Sequence, residues 1–266
     1  MISGVTYAEA NTFMATLALT QPRILAMCAM LPLFNRQLLP GLLRYAVGAG
    51  LGLILVPALA PGYAALDLNW LDIVLVVVKE VFVGLVLGFL VAIPFWIFEA
   101  VGFVIDNQRG ASLGAVINPG TGNDSSPLGI LFNQAFMVFF LVGGGFSLML
   151  TMLYDSFRLW DLWHWTPALQ RESIPLLLDQ LSRMARLVLL FAAPAIVAMF
   201  LAELGLALVS RFAPQLQVFF LAMPIKSALA FLVLVLYMSP LFDYAGEATR
   251  GIGGILPFLD SQWRAP

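Results

Sequence analysis

Six stretches of almost unbroken apolar residues recur along the chain, at 12–34, 42–60, 71–98, 128–153, 187–210 and 215–238. Each is long enough for a membrane helix, which needs ~20 residues at ~1.5 Å rise to cross a ~30 Å hydrocarbon core. Barrel strands would alternate apolar and polar positions instead, so the runs predict helices. The third run is longer than a crossing requires. Short polar connections at 35–41, 61–70 and 211–214 make the helices on either side of each antiparallel neighbours. The pattern predicts an all-α integral membrane protein, a bundle of helical hairpins forming a single domain over residues 1–266. Prolines inside the runs, at Pro22, Pro94, Pro194 and Pro224, predict bent helices.

Two longer connections break the rhythm. Segment 154–186 mixes Trp160, Trp163 and Trp165 with Asp155, Arg158, Asp161 and His164, a composition suited to a membrane–water interface. Its second half, 174–186, reads as a short amphipathic helix with Pro175 at its start and Arg183 and Arg186 at its end. The other connection, 109–129, reads RGASLGAVINPGTGNDSSPLG. Gly110, Gly114, Gly120, Gly122, Gly129, Pro119 and Pro127 exclude a regular element there. The segment is nevertheless not ordinary disorder, because Leu113, Ala115, Val116 and Ile117 are apolar and its only charges are Arg109 and Asp124. It is fit to rest inside a cavity.

Composition agrees with the pattern: 61% hydrophobic residues, 11% charged and a mean hydropathy of +0.95 lie outside the globular range. Membrane lipid is therefore an expected partner. A net charge of −2 without a basic run excludes nucleic acid. Cys28 is the only cysteine and His164 the only histidine, which leaves no intramolecular disulfide and no His-based metal site. MISGVTYAEANTF has no positive region before the first apolar run, so that run is expected to remain in the mature protein. Arginines divide weakly between the two faces that six crossings define, and the larger set predicts cytoplasmic termini. Ser112, Ser125 and Ser126 have no histidine near them, and the glycine-rich segment lacks the lysine of a phosphate-binding loop. We expect no enzymatic activity, no catalytic residue, no metal and no cofactor.

Charges inside the apolar runs change the picture more. Arg23, Lys79, Glu80, Glu99, Glu203 and Lys226 would each cost ~2.5–3.5 kcal/mol at the centre of a lipid-exposed helix, so they should face protein or water. Lys79 and Glu80 lie near the start of the third run and are expected to snorkel to the interface. Folding the last two runs about their short turn brings Glu203 within a helical turn of Lys226, which predicts an ion pair across the hairpin; lining a polar path is the alternative. Glu99, Gly102, Asp106 and Arg109 recur at three and four residues on one helical face. That face is either interfacial, with an Asp106–Arg109 pair, or a pore-facing stripe leading into the glycine-rich segment. Gly143, Gly144 and Gly145 interrupt the fourth run and would let another helix approach closely.

Five stretches together carry a family resemblance: PRILAMCAMLPLFNRQLLP, KEVFVGLVLGF, EAVGFVIDNQRGAS, NPGTGNDSSPLG and RFAPQLQVFFLAMPIKSAL. In this order they resemble the FliR/SctT family, the membrane proteins of flagellar and virulence type III secretion export apparatus. The resemblance spans almost the whole chain and favours the virulence branch, although no single residue decides it. It implies a multi-pass protein of the bacterial inner membrane within the secretion-system base. The subunit would look like a fusion of two smaller homologous subunits, the P and Q types, joining several copies of them in a helical hetero-oligomeric ring, with the U-type switch protein as a further partner. That ring would enclose a protein-conducting pore through which unfolded substrate proteins leave the cytoplasm. Family members place a plug loop in the pore, and the matching residues are Gly110, Ser112, Leu113, Gly114, Val116, Ile117, Asn118, Pro119, Gly120 and Gly122. Assembled members also resemble hairpins raised out of the bilayer plane rather than ordinary spans. Two other functions compete: a secondary transporter for a small solute using Glu99, Glu203 and Lys226, and a purely structural assembly subunit. A transporter would show two related halves, and no internal repeat is visible here.

Overall fold

A computed structural model describes residues 7–35, 38–64, 69–110, 126–163, 173–212, 218–255, 257 and 260. Helices account for the regular structure of these residues, and none of them is in a strand. In chain order the helices are α1 (Tyr7–Met30), a 3-10 turn (Pro32–Phe34), α2 (Gly41–Ala64), α3 (Trp70–Arg109), α4 (Pro127–Val142), α5 (Gly145–Leu159), α6 (Ser173–Phe212) and α7 (Val218–Ile252). Among the described residues, five helices are long and apolar enough to cross a membrane, and α4 with α5, bent between them, make a sixth if they form one span. The integral membrane helical bundle expected from six apolar runs is what the chain folds into.

Several helices outrun the apolar segments that predict them. α3 continues through Glu99, Asp106 and Arg109 and stops only at Gly110, whose φ of 86° is left-handed. α6 is one helix of 40 residues, so 174–186 forms its first turns rather than a separate amphipathic helix. No glycine or proline lies between Pro175 and Pro194 to end it sooner. α7 passes through Pro224 and Pro240 and ends beside Gly251, Gly253 and Gly254.

The chain divides into two compact units. The first is Met1–Ala92, Gly144–Ser173 and Arg250–Pro266. Here α3 meets α1 through glycines one turn apart: a Cβ on Gly84 would overlap the Arg23 carbonyl oxygen, and one on Gly88 would lie 2.8 Å from that of Met27. Small residues at this spacing let two membrane helices touch backbone to backbone. Gly48 and Gly52 of α2 similarly leave room for Gln21 and Leu25, and for Thr20, of α1. Ile24, Met27, Leu87, Met149, Leu153 and Leu162 fill the interior. Trp160 is buried there too, and Trp163, half-buried, packs on Gly62 and Tyr63; His164 and Trp165 lie outside the described residues.

The second unit is Ile93–Gly143 and Ile174–Thr249. Its centre is aromatic. Phe95 meets Phe136 edge-on at 4.8 Å, Phe98 stacks on Phe136 at 4.7 Å, and Phe140 and Phe191 extend the cluster. Spacings of three residues on α3 and four on α4 put these rings on facing sides of the two helices. Gly102 sits so close to the Leu128–Gly129 backbone that no Cβ would fit.

Between α4 and α5 the chain turns at Gly143 and Gly144, with Gly144 at φ 80°. A Cβ at Gly144 would touch nothing within 4 Å, and at Gly143 it would meet only Phe139. Gly143 and Gly144 therefore serve the turn, and Gly145, the first residue of α5, is buried. Left-handed backbone is what glycine supplies cheaply.

Candidate functional site

The charges that interrupt the apolar runs gather into separate constellations, each within one unit. In the second unit the C-terminal end of α3 and the start of α4 are joined by Asp106. Its Oδ1 accepts from Arg109 Nε at 2.7 Å, and its Oδ2 accepts from Ser126 Oγ at 2.6 Å and from the Leu128 backbone N–H at 2.9 Å. Asp106 is 3% exposed. Ser126 is also the N-cap of α4, its Oγ accepting from Gly129 N at 2.8 Å, and Pro127 follows at the first helical position. The Arg109 guanidinium lies 5.4 Å from the Phe231 ring of α7, within cation–π range.

The face that carries Glu99, Gly102, Asp106 and Arg109 is not uniform. Glu99 is exposed and accepts from Asn133 Nδ2 at 2.7 Å, Gly102 is in backbone contact with α4, and Asp106 is buried. Glu203 of α6 and Lys226 of α7 stand 3.4 Å apart, with the lysine side chain mostly covered and the glutamate half exposed. Of the plug residues, Gly110 ends α3; Ser112, Leu113, Gly114, Val116, Ile117, Asn118, Pro119, Gly120 and Gly122 lie outside the described residues.

In the first unit Lys79 and Glu80 do not snorkel. Glu80 is fully buried and takes two hydrogen bonds from Arg23 of α1, Nε to Oε2 at 2.6 Å and Nη2 to Oε1 at 2.8 Å. Arg23 Nη2 also donates to the Trp160 carbonyl at 2.8 Å and Nη1 to Ser156 Oγ at 3.1 Å, while the Phe157 ring lies 3.9 Å from the guanidinium carbon. Ser156 passes the chain on by donating to the Leu153 carbonyl at 2.6 Å. Lys79 Nζ donates to the carbonyls of Asp161 and Leu162 at 2.9 and 2.7 Å and sits 3.1 Å from Glu80. Interfacial snorkelling fails here because a fixed, fully hydrogen-bonded partner is available inside the protein, which offsets the cost of burying the charge. The signal was present in Arg23, a cation on a membrane helix that must find an anion, but no spacing rule points from it to a residue on α3.

No group of three or more His, Cys, Asp or Glu side chains among the described residues is arranged to hold a metal ion. What the constellations have in common is connection: each joins side chains of at least two helices.

The family model described as "Bacterial export proteins, family 1" matches residues 14–252. The chain is 41% identical to "Yop proteins translocation protein T" of Yersinia pestis, covering 88% of this chain and 89% of that protein. It is 35% identical to "Surface presentation of antigens protein SpaR" of Salmonella typhimurium, covering 88% and 87%. With "Flagellar biosynthetic protein FliR" of Bacillus subtilis the identity is 30%, covering 83% and 85%. With a family model that runs from the first membrane helix to the end of the last, and relatives matched over most of their own length, this chain belongs to the family of bacterial export proteins, family 1.

Proposed function

We propose that this chain is a membrane subunit of the export gate of a type III secretion system, helping to form and seal the pore that secreted proteins cross. The observation that carries this reading is the family match over 14–252, joined to relatives named for translocation, surface presentation and secretion apparatus. The chain is a multi-pass protein of the inner membrane, as its five to six apolar helices and these relatives support. It does no chemistry of its own. Its partners are the smaller P-type and Q-type membrane subunits and the U-type switch protein, and the whole chain acts as one export-apparatus domain. The greater identity to the translocation and surface-presentation relatives than to the flagellar one of Bacillus subtilis supports a virulence system over a flagellar one.

Within that gate, the glycine-rich segment is the seal. The composition supports this: glycines and prolines that prevent a helix, apolar residues that suit a closed constriction, and little charge. At the described residues on either side of it, Gly110 ends α3 and Ser126 caps α4. Deleting 112–126 and following ion leak across the inner membrane together with export of a native substrate tests the reading. Leak with export retained is the expected result. An assembled complex that neither leaks nor changes its export would overturn it and leave a purely structural subunit.

A further inference from the structure

A single buried carboxylate reaches both sides of the 111–125 segment. Arg109, one of its partners, stands two positions before that segment, Ser126 directly after it and Leu128 three positions after it. An ionised carboxylate can accept up to four hydrogen bonds, and Asp106 spends three on these residues at 2.6–2.9 Å. Two of the three serve the start of α4, where backbone N–H groups have no partner within the helix. The third holds the arginine on the last turn of α3. We propose that Asp106 is the anchor that fixes the last turn of α3 against the first turn of α4, the two roots on either side of 111–125, a positioning residue whose loss lets those turns shift and the gate leak. The inference rests on the sealing role proposed above, and it adds which residue outside the segment governs it.

Three features favour an anchor over an incidental ion pair. Burial removes water as a competitor for the carboxylate, so the bonds persist. Ser126 works in both directions, donating to Asp106 and accepting from Gly129, so the cap of α4 and the anchor are one network. The contact between Gly102 and the Leu128–Gly129 backbone already brings α3 and α4 together, which leaves Asp106 to set the register of the last turn of one helix against the first turn of the other. Loss of the carboxylate should loosen those turns without parting the helices.

Nitroxide labels on Asn107 and Ile130, both exposed, report the separation of the two roots in the assembled complex of a Cys28→Ala background. The parent should give a narrow distance distribution. Asp106→Ala should broaden it severalfold and raise ion leak; Ser126→Ala should do so more weakly; Ser126→Thr, which keeps the hydroxyl, should restore both. Should Asp106→Ala fail to assemble, Asp106→Asn decides in its place, since it keeps one acceptor oxygen and is expected to broaden the distribution partway. A distribution as narrow in the assembled Asp106 variants as in the parent overturns the anchor. If deletion of 112–126 leaks while Asp106→Ala neither leaks nor broadens the distribution, the seal stands and the anchor falls. If the deletion does not leak, the seal falls, and the label distances alone then decide whether Asp106 holds the roots.

Discussion

Arg23 and Glu80, 57 positions apart, face each other as a two-pronged ion pair in which neither side chain reaches solvent. Four of the five guanidinium hydrogens have acceptors: two on Glu80, one on Ser156 and one on the Trp160 carbonyl. Removing one partner of a buried pair typically costs about 3–5 kcal/mol, because the other charge is left uncompensated. Arg23→Ala is therefore expected to unfold the first unit or lower its melting temperature sharply in detergent. Arg23→Lys should recover little, since an ammonium cannot match the planar fork. The double variant Arg23→Met with Glu80→Leu should be more stable than Arg23→Ala alone. Thermal unfolding of the purified protein measures all three, and a double variant no better than the single would show that the carboxylate is not what makes the single variant costly.

Gly84 and Gly88 predict a second, steric dependence at the same helix pair. A Cβ at either position must displace α1 backbone, which cannot rotate away as a side chain can. Overpacking of this kind costs roughly 1–3 kcal/mol. Gly84→Ala and Gly88→Ala should each destabilise by an amount in that range, whereas Gly205→Ala on exposed α6, with nothing within 4 Å, should be neutral. Melting temperatures of the three variants, measured side by side, separate a packing role from a general intolerance of alanine.

Glu203 and Lys226 are unequal partners, and their variants should be unequal too. The lysine side chain is 12% exposed and the glutamate 51%. Glu203→Ala strands a mostly covered cation, while Lys226→Ala leaves a carboxylate that this chain covers only by half. The first should therefore impair recovery of the assembled complex more than the second. Adding Lys226→Ala to Glu203→Ala should cost little further, and strictly additive losses would show that the two do not act as a pair.

The helices were legible because apolar runs of membrane length admit little else, and the pairing of Asp106 with Arg109 was legible because helical spacing places them together. Partners set by tertiary packing were not. Glu80 sits beside Lys79 near the start of an apolar run, where interfacial exposure is the local answer; only the arrival of α1 through Gly84 and Gly88 supplies Arg23. Ser126 and Leu128 are likewise brought to Asp106 by the meeting of α3 and α4 at Gly102, which no local pattern encodes. The extent of α6 was missed for a different reason. A change from amphipathic to apolar composition at 186–187 looks like a boundary, but helices end at capping residues and breakers, and none is present there.

Gly144 offers the most local prediction. Its φ of 80° places it in the left-handed region, and a Cβ there meets nothing within 4 Å, so a substitution is opposed by backbone conformation alone. An L-residue pays about 1–2 kcal/mol for that conformation, and asparagine is the residue that tolerates it best after glycine. Gly144→Ala should thus lower stability by about that amount, and Gly144→Asn by less, with no loss of packing in either. If thermal unfolding ranked the two variants in the opposite order, side-chain contacts rather than the left-handed turn would be limiting between α4 and α5. A third variant keeps the comparison honest: Gly143→Ala at φ −77° carries no such conformational penalty, and its Cβ would instead press on the Phe139 carbonyl oxygen at 2.8 Å. The two neighbouring glycines should then respond differently to the same replacement, with asparagine recovering stability at position 144 but not at 143.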